Sequence, residues 1–308
     1  MQIIEHTTEF HISEPTVIAV GKFDGIHRGH QKIFEKLFEA KKQGLKTAVF
    51  TFDPSPESFF SKKQLPELTT RAEKRSVFSK MQIDYLVEYP FRQETADVLP
   101  QDYVTDFLLN KMNGRKIVAG TDVSFGKGGK GDAALLEEMS EKYGFQFEKV
   151  DKIRLGEREI SSSYIREEVE KGNMENAEKL LGRPYFLYGK VEDGKKLGRT
   201  IGIPTANLYP EKEKLLPPNG VYYSRVLLDK ELYYGVTNIG CRPTVEDGNR
   251  MSAETYILDF DRDIYGKDIF VELKHFERAE HKFASVDALT EAIRRDIEET
   301  SRYFNERK

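Results

Sequence analysis

The sequence predicts two unlike halves: an α/β half built on a parallel sheet with helices on both sides, then an all-β half forming an antiparallel barrel or sandwich closed by one helix. Three observations predict it. Between residues 16 and 120, short apolar runs alternate with helical patterns, as a parallel sheet with crossover helices requires. After Arg183-Pro184 the runs alternate apolar and polar, with turn-rich connections and no helix between them. Near the C-terminus, Val286, Leu289, Ile293 and Ile297 return to one helical face.

Thr16-Val17-Ile18-Ala19-Val20 reads as a short buried strand that runs through Gly21 to His30 into a helix-like segment. Thr47 to Phe52, Ile83 to Val87 and Lys116 to Gly120 are further strands. One helix starts at Thr70, whose hydroxyl and the Glu73 carboxylate have capping-box spacing. Another has Pro100 in its first turn, then Val104, Phe107, Leu108 and Met112 on one face. The β-type runs of the second half are Tyr185 to Glu192, Val221 to Leu228, Leu232 to Thr237, Glu254 to Phe260 and Asp268 to Phe276. The Gly182-Arg183-Pro184 breaker follows a helical Glu175 to Leu181, so the expected domains are 1–183 and 184–308.

Composition narrows the function classes. A chain of 308 residues is long enough for two domains with a core each. One cysteine, Cys241, excludes an internal disulfide and a multi-cysteine zinc site and fits a reducing cytoplasm. The first residues begin no signal peptide, and no run approaches the roughly 18 apolar residues of a spanning helix, so a soluble protein without a membrane partner is expected. The net charge is −4, with 48 basic and 52 acidic residues interspersed, which argues against a nucleic-acid partner. Oligomeric state leaves no mark in the sequence.

Gly21-Lys22-Phe23-Asp24-Gly25-Ile26-His27-Arg28-Gly29-His30 is a strand-to-helix turn carrying two imidazoles. In parallel sheets ligands bind beyond the carboxyl ends of strands, and a helix N-terminus there favours phosphate. Asp24-Gly25 turns the chain, Gly29 removes a Cβ where a ligand approaches, and His27 and His30 can donate hydrogen bonds to phosphoryl oxygens. No side chain in the stretch is an obvious nucleophile, so the chemistry expected is direct transfer, with the protein positioning a triphosphate and stabilising charge at phosphorus. A helix cap or a metal site is the alternative reading of the two histidines.

This stretch resembles the His-x-Gly-His signature of the nucleotidyltransferase superfamily, and in particular the FAD synthetase module of prokaryotic bifunctional riboflavin kinase/FAD synthetases. The resemblance implies a Rossmann-like nucleotidyltransferase domain in which His27, His30, Gly21, Phe23, Asp24 and Gly29 serve the nucleotide and its phosphates. Ile160-Ser161-Ser162-Ser163-Tyr164-Ile165-Arg166 resembles the Ser-Ser-Thr-x-x-Arg element of the same superfamily, with Ser163 in place of Thr. Hydroxyls and N–H groups at this helix start would hold pyrophosphate, with Arg166 one turn on to neutralise it.

From Gly120 to Asp132 the chain is glycine-rich, with a formal G-x-G-x-x-G at Gly126, Gly128 and Gly131. These glycines begin six residues after the strand, too late for a dinucleotide fingerprint. Gly128 stands where a Walker A loop has Ser or Thr. A mobile loop over a ligand and a plain flexible loop remain open. Here the resemblance implies flavin contacts from Asp122 and Phe125, although this chain has Val123 where the family pattern has an aromatic.

In the second half, Gly198-Arg199-Thr200-Ile201-Gly202-Ile203-Pro204-Thr205-Ala206-Asn207 resembles the Gly-x-Pro-Thr-Ala-Asn signature of riboflavin kinases. Thr205 and Asn207 lie on one side of an extended segment, where two neutral oxygens could complete the shell of a Mg2+ ion already held by ATP phosphates. The resemblance further implies an antiparallel barrel, phosphate contacts at Gly198 and Gly202, a flavin contact at Arg278, and Glu254 as the base that takes the proton of the ribityl hydroxyl. It covers nearly the whole chain in order. The expected protein is a bifunctional enzyme that phosphorylates riboflavin to FMN and adenylylates FMN to FAD, with riboflavin, FMN and ATP as its small-molecule partners. A single-activity transferase whose barrel senses flavin, and a non-catalytic adaptor, are the rivals; Glu254 with Pro204-Thr205-Ala206-Asn207 argues against the first and the His27–His30 pair against the second.

Overall fold

Strands buried on both faces need apolar side chains on both faces, and in the computed structural model the first-half strands meet that requirement from two separate cores. The structure describes residues 1–63, 65–194, 202–244 and 248–306. The chain divides into two compact units, Met1–Ser162 and Ser163–Lys308.

The first unit contains β1 (Gln2–Glu5), β2 (Thr16–Val20), α1 (Arg28–Lys41), β3 (Lys46–Asp53), α2 (Pro56–Ser61), α3 (Arg71–Lys80), β4 (Tyr85–Pro90), α4 (Gln93–Ala96), α5 (Pro100–Asp102), a wide π-type helix (Tyr103–Lys111), β5 (Gly114–Gly120), α6 (Ala133–Tyr143) and β6 (Gln146–Val150). Six strands form one parallel sheet in the order β1-β4-β3-β2-β5-β6. Alternate residues of each strand feed different cores. Val17, Ala19, Val49 and Val118 pack with Phe34 and Leu37 of α1 and Phe78 of α3. Ile18, Phe50, Ile117 and Ala119 pack with Phe107 of the π-type helix and Leu136 of α6. The expected capping box is present: Glu73 N–H donates to Thr70 Oγ1 at 3.4 Å and Thr70 N–H to Glu73 Oε2 at 3.0 Å. From β2 the chain moves outward one way to β3 and β4, then crosses back to β5 and β6. The carboxyl end of β2 therefore opens at the switch point, where such sheets bind ligands.

A small two-stranded hairpin, β7 (Arg154–Leu155) with β8 (Arg158–Glu159), closes the first unit; the second holds nearly all of α7 (Ser162–Glu170), then α8 (Met174–Leu181), β9 (Tyr185–Lys190), β10 (Ala206–Leu208), β11 (Gly220–Leu228), β12 (Glu231–Thr244), β13 (Gly248–Ile257), β14 (Asp268–Ala279) and α9 (Val286–Asn305). Antiparallel neighbours run β10-β13-β12-β11-β14-β9. Glu192 N–H, just past β9, donates to the Asn207 carbonyl on β10 at 2.9 Å, so the sheet curls back on itself as a barrel. Its interior carries a hydroxyl ladder. Ser224 Oγ donates to the Gly235 carbonyl (2.8 Å) and lies 2.7 Å from Thr237 Oγ1, itself 2.9 Å from Thr255 Oγ1, all fully buried.

Helix α8 docks on β14 through Glu178–Lys274 (2.5 Å) and Glu175–His275 (2.6 Å), and so packs with the barrel ahead of the Gly182 breaker. The terminal helix differs from its expected orientation. The buried stripe is Ala292, Asp296, Thr300 and Phe304, while Val286 is exposed and Leu289 and Ile293 line a cavity. The stripe is set by Phe304, stacked on Tyr234 at 4.2 Å, and by Asp296, paired with Arg278.

Candidate active sites

The turn after β2 is bent by three left-handed residues, Phe23 (φ 50°), Gly25 (φ 81°) and Ile26 (φ 44°). Phe23 and Ile26 send their side chains into the core beneath α1, which pins the turn from inside. His27 then caps α1: its Nδ1 accepts the His30 N–H at 3.4 Å. That bond places the proton of the neutral ring on Nε2. The two imidazoles stack at 3.7 Å and 16°. Burial pushes His27 down to about 4, against partial opposition from the charges of Asp24 and Asp122. Burial, with the His27 neighbour, holds His30 well below the usual histidine range. At neutral pH both rings are thus uncharged hydrogen-bond donors or acceptors rather than cations. His30 Nδ1 is buried without a hydrogen-bond partner in the protein, which leaves it a group for a ligand to satisfy.

The other residues of the turn serve its shape. Gly21 N–H donates to the Phe50 carbonyl at 3.2 Å. A Cβ on Gly29 would lie 3.1 Å from the His27 ring, so this glycine makes room first for the histidine. Asp24 is buried, and its Oδ1 accepts the Thr69 N–H at 3.1 Å. The Ser162 hydroxyl donates to the Asp24 carbonyl at 2.9 Å, which spends its one hydrogen inside the fold. Gly21, Phe23, Asp24, His27, Gly29, His30 and Ser162 are therefore brought together; Ser163 and Arg166 follow on α7, in the second unit.

Asp122 is exposed and paired with Lys152 at 3.2 Å. Phe125, where a flavin contact was expected, lies in the core on Tyr103 (5.2 Å, 29°). The glycine-rich loop is tied across its neck by reciprocal Phe125–Gly131 backbone bonds of 3.0 and 2.9 Å. A Cβ on Gly131 would meet the Phe125 ring at 2.4 Å, so packing already accounts for that glycine. Sequence reasoning missed an aromatic cluster at the carboxyl ends of β3 and β4, where Phe59 and Phe60 of α2 meet Phe91 at 5.2 and 5.8 Å and Phe60 is 64% exposed. The Phe59-Phe60 pair just after a strand was its one signal.

In the second unit, register builds the site. Glu254 on β13 pairs across to Asn207 on β10 and to Asn238 on β12. A cavity of about 670 Å³ is lined by Glu254, Asn238, Thr205, Arg278, Leu289 and Ile293, among others. A second, of about 420 Å³, is lined by Pro204, Thr205, Phe260, Arg262 and Tyr265. Thr205 borders both. Arg278 is held two-pronged by Asp296, Nε to Oδ1 at 3.0 Å and Nη2 to Oδ2 at 2.6 Å. Asn207 is buried, its amide nitrogen donating to the Thr205 carbonyl at 3.2 Å. Gly202 is exposed with φ 75°, and Gly198 lies outside the described residues. Among the described residues no three His, Cys, Asp or Glu side chains form a metal-binding group. The oxygens of Thr205 and Asn207 are neutral and hard, a set suited to a divalent ion that arrives with phosphates. Leu289 and Ile293, read from the sequence as part of the apolar face of the terminal helix, line the cavity with Asn238.

Residues 9–164 match the family model of FAD synthetase and residues 181–304 that of riboflavin kinase. A bifunctional riboflavin kinase/FMN adenylyltransferase of Listeria monocytogenes is 36% identical over 94% of this chain and 92% of its own length. The chain belongs to the bifunctional riboflavin kinase/FMN adenylyltransferase family. Its Escherichia coli K12 member is 37% identical over 94% and 93%. A crystal structure described as a macrolide-efflux protein from Streptococcus pneumoniae is also similar, with 31% identity, a TM-score of 0.83 and coverage of 97% and 98%. Among the described residues of this family member, no helix is long and apolar enough to cross a membrane.

Proposed function

We infer that this chain carries both family activities, phosphorylating riboflavin to FMN in the barrel and adenylylating FMN to FAD in the α/β unit, with ATP as donor in each. The observation that carries the reading is Thr205 at the border of two cavities, with Glu254 lining the larger. A nucleotide in the 420 Å³ cavity and a flavin in the 670 Å³ cavity would meet beside that hydroxyl. Glu254 then accepts the proton of the ribityl 5′-hydroxyl as its oxygen attacks the γ-phosphorus, the bond from that phosphorus to the bridging oxygen breaks and ADP leaves. Arg278, held by Asp296, faces the flavin together with Leu289 and Ile293. Thr205 and Asn207 would hold Mg2+, which when bound neutralises phosphate charge.

In the first unit, the FMN phosphate oxygen attacks the α-phosphorus of ATP and pyrophosphate leaves. His27 donates from Nε2 to the phosphoryl oxygens, His30 beside it, at the N-terminus of α1. Ser162 fixes the Asp24 carbonyl from below, and its helix motif assigns the departing pyrophosphate to Ser163 and Arg166. Asp122 lies toward the flavin; the exposed Phe60 with Phe59 offers the ring an aromatic face, and Phe125 supports Tyr103 from within the core. The two activities divide at 183/184, and the compartment is the cytoplasm, in keeping with the single Cys241. Incubating the full chain with riboflavin, ATP and Mg2+ and separating the flavins tests the reading. FMN followed by FAD is expected; a product mixture lacking either flavin overturns it.

A further inference from the structure

The His27–His30 pair is aimed by a turn that a polypeptide adopts reluctantly. Phe23 and Ile26 are bulky residues held at positive φ, and such conformations persist only where the surroundings over-determine them. The buried side chains of Phe23 and Ile26 anchor the ends of the turn, and the Ser162 hydroxyl holds the carbonyl side of the Asp24–Gly25 peptide at 2.9 Å. The N–H side of that peptide and the Asp24 carboxylate are held from Thr69, 44 and 45 residues away. Thr69 N–H donates to Asp24 Oδ1 at 3.1 Å, and Gly25 N–H donates back to Thr69 Oγ1 at 3.0 Å. Both residues are at most 2% exposed, so neither bond has water to replace it. Thr69 is itself rigid, because the next residue, Thr70, is locked in the capping box that starts α3.

We propose that Thr69 is a positioning residue for adenylyl transfer, its reciprocal hydrogen bonds with Asp24 and Gly25 setting the turn that points His27 and His30 at the phosphates. The proposal rests on the reading of the first unit as the adenylyltransferase. Thr69 touches no substrate. Its hydroxyl holds the Gly25 peptide, and its backbone holds the carboxylate preceding it.

The test uses the full chain, whose riboflavin kinase activity reports folding and concentration in the same tube. Thr69→Val keeps size and the backbone donor but removes the hydroxyl; Thr69→Ser keeps the hydroxyl. Thr69→Val is expected to lower kcat for FAD formation at least tenfold with KM for ATP within about threefold of the parent, while FMN formation is unchanged. Thr69→Ser is expected to return FAD formation to within about threefold of the parent. A Thr69→Val enzyme that makes FAD at the parent rate, equal losses in the Val and Ser variants, or a parallel fall in FMN formation each overturns the positioning role. A loss confined to KM for ATP assigns the hydroxyl to substrate binding and overturns it too. A parent enzyme that makes FMN but no FAD overturns the reading of the unit itself, and is seen before any variant is made.

Discussion

The two units place their reactive groups in opposite ways. In the α/β unit the histidines sit in a strained turn whose donors and acceptors are largely spent on the protein itself, through Thr69, Ser162 and the His27–His30 bond. In the barrel, Glu254 and Asn238 sit on regular antiparallel strands, and Thr205 one residue before β10, beside open cavities. A site made by a turn depends on every clasp that shapes the turn, whereas a site made by register depends on the sheet and is robust to changes at any one neighbour.

The largest effect should come from breaking the turn-built site alone. His27→Ala with His30→Ala removes two preorganised donors, each of a kind worth roughly a hundredfold to a thousandfold. FAD formation should fall below detection while FMN formation stays within about twofold, as flavin chromatography would show. On the register-built side, Glu254→Gln keeps shape and hydrogen bonding but not the proton acceptor. It should cost roughly a hundredfold in FMN turnover with riboflavin binding retained in a fluorescence titration. Loss of binding would instead make Glu254 a structural strand residue.

The comparison sharpens at the junction. A barrel fragment beginning at Ser163 keeps α8, whereas one beginning at Tyr185 loses the Glu175–His275 and Glu178–Lys274 pairs and the buried Met174, Ala177, Leu180 and Leu181. Both fragments should make FMN, and the shorter should melt several degrees lower, a loss of a few kcal/mol. Equal melting temperatures would show that α8 adds nothing to the barrel.

Acid should separate the units last and least. His27 is held neutral down to about 4, whereas in the unfolded chain it protonates near 6.5. Below that value the unfolded state binds more protons, so stability falls as pH drops from about 6.5 toward 4, by roughly 3 kcal/mol at most for this residue. His30 acts in the same direction. Thermal melts across this window should show the decline in the parent and a flatter dependence in the His27→Ala, His30→Ala variant.

Much of this was legible in the sequence because the decisive signals are local. β2 and β3 announce themselves by apolar residues on both faces, α3 by its capping box, and each motif by contiguous residues. What stayed hidden depends on contacts distant along the chain. β1 is a half-polar edge strand, and β10 is three residues inside a stretch that reads as a site. Thr69 carries no motif and meets the turn only in space. The stripe of α9 was misjudged because Leu289 and Ile293 face a cavity and Val286 is exposed, while Asp296, a carboxylate, is buried on Arg278. Gly29 looked like an opening for ligand, yet the atom nearest its missing Cβ belongs to His27.

The hydroxyl ladder inside the barrel has a direction. Each hydroxyl owns one hydrogen, and Ser224 spends its own on the Gly235 carbonyl. Thr237 must then donate to Ser224, and Thr255 to Thr237. This one-way chain works as a register lock. Thr255 follows Glu254 directly, so a slip of β13 by one residue would carry the threonine out of the ladder and turn the carboxylate to the opposite face of the sheet. The buried hydroxyls thereby keep Glu254 turned toward the larger cavity.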